Sequence, residues 1–122
     1  MNALESIYES IKDRTVIDYK TFKDGLKDWE VIPLIEKNTV IGGVLKKDNE
    51  IHVGYGIKPS SSIRKHIKIT LGKIIQEYGF AVTSVMEDNL KGIKFCKRLG
   101  FYEMNKDNGK INLKCDRCNY VE

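Results

Sequence analysis

The chain holds 122 residues, 41% of them hydrophobic and 31% charged, with a formal net charge of +4. That length supports one layered core and so one domain, residues 1–122, and no apolar run nears the roughly 20 residues that cross a bilayer. Three cysteines do not build a disulfide framework, and the opening Met-Asn-Ala-Leu-Glu-Ser carries no basic stretch ahead of an apolar one, so a cytoplasmic protein without a secretory signal is expected.

Leu4, Ile7, Tyr8 and Ile11 recur at helical spacing and predict a first helix from Ala3 to Lys12. A second, short helix is expected from Thr21 to Lys27, with Phe22 and Leu26 inward. Val31 to Glu36 and Thr39 to Lys46 read as strands joined by a turn at Lys37-Asn38, and Asp48-Asn49 makes the next turn. From Ile51 to Ile57 the residues alternate, with Ile51, Val53, Tyr55 and Ile57 on one face and His52, Gly54 and Gly56 on the other. These three strands are expected to form an antiparallel meander, with Tyr55 in the core or, alternatively, lining a pocket. Pro59 ends the third strand, and a choice of caps in Ser60-Ser61-Ser62 leads into a long helix ending at Tyr78, with Ile63, Ile67, Leu71, Ile74 and Ile75 along one side. Gly79 stops it. Phe80 to Met86 is an apolar, buried strand. A helix led by Asn89 follows, then strands Phe101 to Met104 and Lys110 to Lys114 around the hairpin turn Asp107-Asn108-Gly109. The order implies a mixed α/β (α+β) sheet with helices packed on it.

Charge is unevenly placed. Lys58, Arg64, Lys65, Lys68 and Lys73 form one run without an acid, and Lys91, Lys94, Lys97 and Arg98 form another. Each run is either a solvated helix face or a basic rim around a phosphate-bearing ligand. No nucleic-acid reader motif or aromatic platform accompanies them, so neither nucleic acid nor membrane is expected as a partner.

The most informative stretch is Asn89-Leu-Lys-Gly-Ile-Lys-Phe-Cys-Lys-Arg-Leu-Gly-Phe101. Asn89 can cap a helix by accepting a backbone N–H, and Gly100 suits a left-handed residue after the last turn. The pattern of Asn, small residue, aliphatic, aromatic and then Leu-Gly-Phe resembles one motif of the GNAT (GCN5-related N-acetyltransferase) superfamily. The resemblance covers about Val31 to Lys114: Ile57-Lys58-Pro59 matches a strand end, Ile63 to Tyr78 the long helix, and Phe80 to Met86 the strand after it. It implies a GNAT-like fold, an antiparallel meander followed by parallel splayed strands with helices on both faces. It also implies acetyl-CoA as co-substrate, its pantetheine arm between Ile51–Ile57 and Phe80–Met86, and an amine, or a protein lysine or N-terminus, as acceptor.

By the same resemblance Gly56, Ile57, Lys58, Ser62, Arg64, Lys65 and Asn89 fall where the cofactor binds. A helix N-terminus attracts phosphate on its own physics, through unpaired N–H groups and a partial positive charge. The chain departs from the family's loop of Arg or Gln, two residues, Gly, one residue, then Gly or Ala, whose small residues let the backbone approach the diphosphate: Ser62 stands at the Arg or Gln place, and Lys65 and Ile67 stand at the small ones. Cys96 stands where many members carry the tyrosine that reprotonates the leaving thiolate; it is either that acid or a small buried hydrophobe. His52 and Glu50, on the third strand, are the candidate bases, His52 being alternatively structural or exposed. His66 is expected to be exposed. Cys115-Asp-Arg-Cys118 has the spacing of half a zinc site, but no second pair accompanies it, so no metal is expected and both thiols are placed in a mobile tail. The chain also resembles short GNAT-like proteins found among bacteriophage virion and morphogenesis proteins, which implies an assembly or host-factor role with a protein partner.

Overall fold

Asn2 starts the first helix by a reciprocal cap. Its Oδ1 accepts the Glu5 N–H at 2.8 Å, and its own N–H donates to Glu5 Oε1 at 3.0 Å. The helix, α1 (Ala3–Ile11), is followed by a 3-10 turn at Lys12–Arg14 and by α2 (Tyr19–Gly25). The computed structural model describes residues 2–57 and 64–117. The remaining elements are β1 (Glu30–Glu36), β2 (Thr39–Lys47), β3 (Glu50–Tyr55), α3 (Arg64–Tyr78), β4 (Ala81–Met86), α4 (Leu90–Leu99), β5 (Tyr102–Asp107) and β6 (Lys110–Cys115). The six strands form one mixed sheet in the order β1-β2-β3-β4-β6-β5. The chain divides into two units, Met1–Lys47 with His52–Ile63, and Asp48–Ile51 with Arg64–Glu122.

In the first unit, α2 begins two residues earlier than its apolar spacing suggests, because Asp18 caps it by accepting the Thr21 N–H at 2.9 Å. It buries no residue completely and rests on α1 through aromatic rings: Tyr8 lies 5.6 Å from Tyr19 and 5.4 Å from Phe22. β1 and β2 pair antiparallel through a turn in which Lys37 and Asn38 both take positive φ, the geometry that suits a tight hairpin. Pro33 sits within β1, which its place at the sheet edge permits. The pairing slips between Leu34 and Ile35: Leu34 faces Gly42 and Ile35 faces Val40, leaving Ile41 as an extra residue in β2.

Helix α1 packs on glycines. A methyl group added at Gly54 would lie 2.9 Å from Ile7 Cγ2, one at Gly43 would lie 3.0 Å from Ala3 Cβ, and one at Gly56 would lie 2.6 Å from the Ser6 carbonyl oxygen. Ala3, Ser6 and Ile7 are the buried residues of this helix, and all three meet the glycines.

In the second unit Ile67, Leu71 and Ile74 are fully buried along one side of α3, each worth about 1.5–3 kcal/mol of burial. Gly79 ends that helix at φ +87° and donates its N–H to Ile75 at 2.8 Å. β4 pairs antiparallel with β6 from Ala81↔Cys115 to Met86↔Lys110, and Ile111, Leu113 and Cys115 alternate inward. Cys115 therefore belongs to the core of β6 and not to a mobile tail, because its place opposite Ala81 makes it the last inward position of that strand; Cys118 lies outside the described residues. β5 is exposed along its whole length, as an edge strand is, and its register slips between Glu103 and Asn105. β3 pairs in parallel with β4 at Glu50↔Val82, and the Val82 N–H donates to the Asn49 carbonyl at 2.8 Å. Among the described residues no helix is long and apolar enough to cross a membrane.

Candidate functional site

β3 ends at Tyr55, two residues before the alternation in the sequence runs out, and hydrogen bonding explains why. The Gly56 and Ile57 N–H groups both donate to the Ile41 carbonyl, at 2.9 and 3.3 Å. Two successive donors on one acceptor are the pattern of a β-bulge, which breaks the ladder and turns the strand. These two cofactor-site candidates thus commit their backbone donors to β2. Strand N–H groups alternate between edges, so that of Tyr55 is directed away from Ile41.

Exposure of the apolar face rises along the strand. Ile51 is 3% exposed, Tyr55 43% and Ile57 46%. Tyr55 is therefore not a core residue. Its side chain shares a face with Ile51, whereas α1 covers the opposite face, where Gly54 and Gly56 lie. His52 lies on the glycine face by the same alternation. It is half-buried, with its ring 5.7 Å from that of Trp29. Glu50, two residues before it, is also half-buried.

Helix α4 carries the other motif. Asn89 Oδ1 accepts the Gly92 N–H at 3.1 Å. Gly100 closes the helix at φ 115°. Phe101 N–H then reaches the Cys96 carbonyl at 3.0 Å and Gly100 N–H the Lys97 carbonyl at 3.1 Å, the paired bonds of a Schellman ending. Ile93, Cys96 and Leu99 are the buried residues, and Lys97 and Arg98 stand in the last turn, where positive charge meets the helix C-terminus favourably. Burial pushes the Cys96 thiol up to about 11.

Of the remaining candidates, Lys65 is exposed in the first turn of α3, His66 beside it is also exposed, and Ile67 points into the core. Arg64 is the first residue of α3; Lys58 and Ser62 lie outside the described residues. Among the described residues no cluster of His, Cys, Asp or Glu has the makings of a metal site. Sequence reasoning missed Ser6. It is completely buried, its hydroxyl donates to the Ile41 carbonyl, and it accepts the Gly56 N–H at 3.1 Å. The available signal was a serine on the same helical face as Ala3 and Ile7, opposite strands containing Gly42-Gly43 and Gly54-Tyr55-Gly56.

No protein-family model and no curated protein matches the sequence. Solved structures do match the fold. A ribosomal-protein-alanine N-acetyltransferase from Brucella melitensis superposes with TM-score 0.69 at 12% identity, over 93% of this chain and 91% of that one. The PaiA N-acetyltransferase from Thermoplasma acidophilum, in complex with coenzyme A, gives 0.64 at 14% identity, over 94% and 88%. A GNAT family acetyltransferase from Elizabethkingia anophelis, with acetyl-CoA bound, gives 0.65 at 11% identity, over 93% and 89%. The fold is that of the GNAT acetyltransferases.

Proposed function

We propose that this protein is an acetyl-CoA-dependent N-acetyltransferase, with an amine, a lysine side chain or a protein N-terminus as acceptor. The observation that carries this reading is the end of β3, where a bulge, two exposed apolar side chains and a backbone N–H directed away from β2 coincide. Two of the similar structures were solved with coenzyme A or acetyl-CoA, which supports the choice of ligand.

In this reading Tyr55 and Ile57 flank the pantetheine arm. The Tyr55 N–H hydrogen-bonds the thioester oxygen and holds the negative charge that develops there. Lys58, Ser62, Arg64 and Lys65 supply charge and hydroxyl for the diphosphate at the start of α3. The amine attacks the acetyl carbonyl, the new C–N bond forms, and the C–S bond breaks with its electron pair leaving on sulfur. His52 or Glu50, directly or through water, takes the ammonium proton. Solvent protonates the thiolate, since a Cys96 thiol raised to about 11 gives up its proton reluctantly. Asn89 acts by holding the start of α4. Much of the rate comes from positioning two bound substrates.

The test is an acetyl-CoA titration followed by thermal melting and calorimetry, then free-thiol release with candidate amines. At a hundredfold excess over Kd the native state gains about 2.7 kcal/mol, which raises Tm by several degrees. No stabilisation and no heat at millimolar acetyl-CoA would remove the enzymatic reading and leave the interaction role implied by the likeness to phage virion proteins.

A further inference from the structure

Ser6 occupies the apolar face of α1, where alanine would be the better helix former and would avoid burying a hydroxyl. The hydroxyl is not needed to satisfy a backbone donor, because Gly56 N–H already reaches the Ile41 carbonyl at 2.9 Å. What the hydroxyl adds is a second hold on the same spot. It accepts from Gly56 N–H at 3.1 Å and donates to Ile41 O. The Ile41 carbonyl thus collects three donors, from Ser6, Gly56 and Ile57. Ile41 is also the extra residue of β2, so irregularities in two strands meet at one oxygen, and a helix residue pins them together. The absence of side chains at Gly54 and Gly56 brings α1 close enough for that reach.

We propose that Ser6 is a positioning residue for acetyl transfer: it fixes the β3 bulge, and through it the direction of the Tyr55 N–H that receives the thioester oxygen. This rests on the acetyltransferase reading above. Ser6 touches neither substrate and acts only through the backbone of Gly56 and Ile41.

The experiment compares wild type with Ser6→Ala and Ser6→Cys, all assayed well below their melting temperatures. Alanine removes the hydroxyl and leaves Gly56 N–H bonded to Ile41. Cysteine is larger by about one methylene and replaces a strong hydrogen bond with a weak one. In both variants kcat falls at least about tenfold, in the range expected when a transition-state donor is misplaced. Their Kd for coenzyme A, which has no acyl carbonyl, stays within about twofold of wild type. The Gly56 and Ile57 amide resonances shift, and their hydrogen exchange accelerates. Unchanged kcat with only a lower Tm would overturn the proposal, as would parallel loss of kcat and coenzyme A affinity, or unmoved Gly56 and Ile57 amides. Wild-type protein that neither binds nor turns over acetyl-CoA would overturn the acetyltransferase reading, and this proposal with it.

Discussion

Helix α4 and the α1–β2–β3 junction are both small and both built from backbone hydrogen bonds, yet they are specified in opposite ways. In α4 each bond joins near neighbours: Asn89 to Gly92, Gly100 to Lys97, Phe101 to Cys96. In the junction the bonds run from Ser6 to Ile41, 35 residues away, and from Gly56 to Ser6, 50 residues away. Local bonds form whenever the helix forms. Non-local ones form only when three elements meet at a close distance, and here glycine makes that distance possible. The first region tolerates gradual change, and the second responds to a single added methyl group.

The sharpest test of that contrast is Gly42→Ala. Its Cβ would lie 2.2 Å from the Gly54 carbonyl oxygen and 2.6 Å from Tyr55 Cα, both backbone atoms that cannot swing aside. We expect a loss of about 3 kcal/mol or more by urea denaturation at constant m. A loss below about 1 kcal/mol would show that the strands yield more readily than their packing implies.

The alkaline limb of stability comes next. The Cys96 thiol is raised from 9.0 to about 11 by burial, so the folded state keeps its proton while the unfolded state loses it. The native state is fully favoured below pH 9 and loses stability as pH climbs toward 11, by about 3 kcal/mol in total. Cys96→Ala removes this dependence, which denaturation at pH 8, 9.5 and 10.5 will show as a flattened profile. A profile equally steep in the variant would place the titrating group elsewhere.

Asn89→Ala removes the side-chain acceptor at the start of α4 and costs about 1 kcal/mol. Asn89→Asp retains the acceptor and should lose far less. If both variants lose the same amount, the cap is not what holds the helix end. The smallest effect is expected at Lys106, whose ammonium meets Glu87 at 2.8 Å on the surface. Lys106→Ala should leave the denaturation midpoint unchanged within error, because exposed pairs recover their hydration when broken.

The elements were legible wherever period and punctuation agree. The long helix ending at Tyr78 and Gly79, the Asn108-Gly109 hairpin and the Asn89 helix all appear as their residues suggest. Boundaries moved where a side chain intervened, as Asp18 does at the start of α2, or where backbone donors converged, as after Tyr55. Tyr55 itself was misplaced because alternation tells which residues share a face but not how far the cover over that face extends. Cys115 was misplaced because proximity to the C-terminus suggested a loose end, whereas β6 continues inward through it. Of the candidate site, Asn89 and its helix were readable as a unit. The hydrogen bonds of Gly56 and Ile57 were not, since they depend on where β2 slips against β1.

The sequence by itself determined the order of elements, the caps, the helix ends and the residues that could carry charge or protons, because those depend on contacts a few positions long. Only the tertiary structure decided that Ile41 is the meeting point of three donors, that Ser6 reaches it, and that β3 ends with apolar side chains uncovered. Each of these depends on the separation between a helix and two strands, and no short-range pattern encodes a distance between elements that the chain brings together from 35 and 50 residues apart.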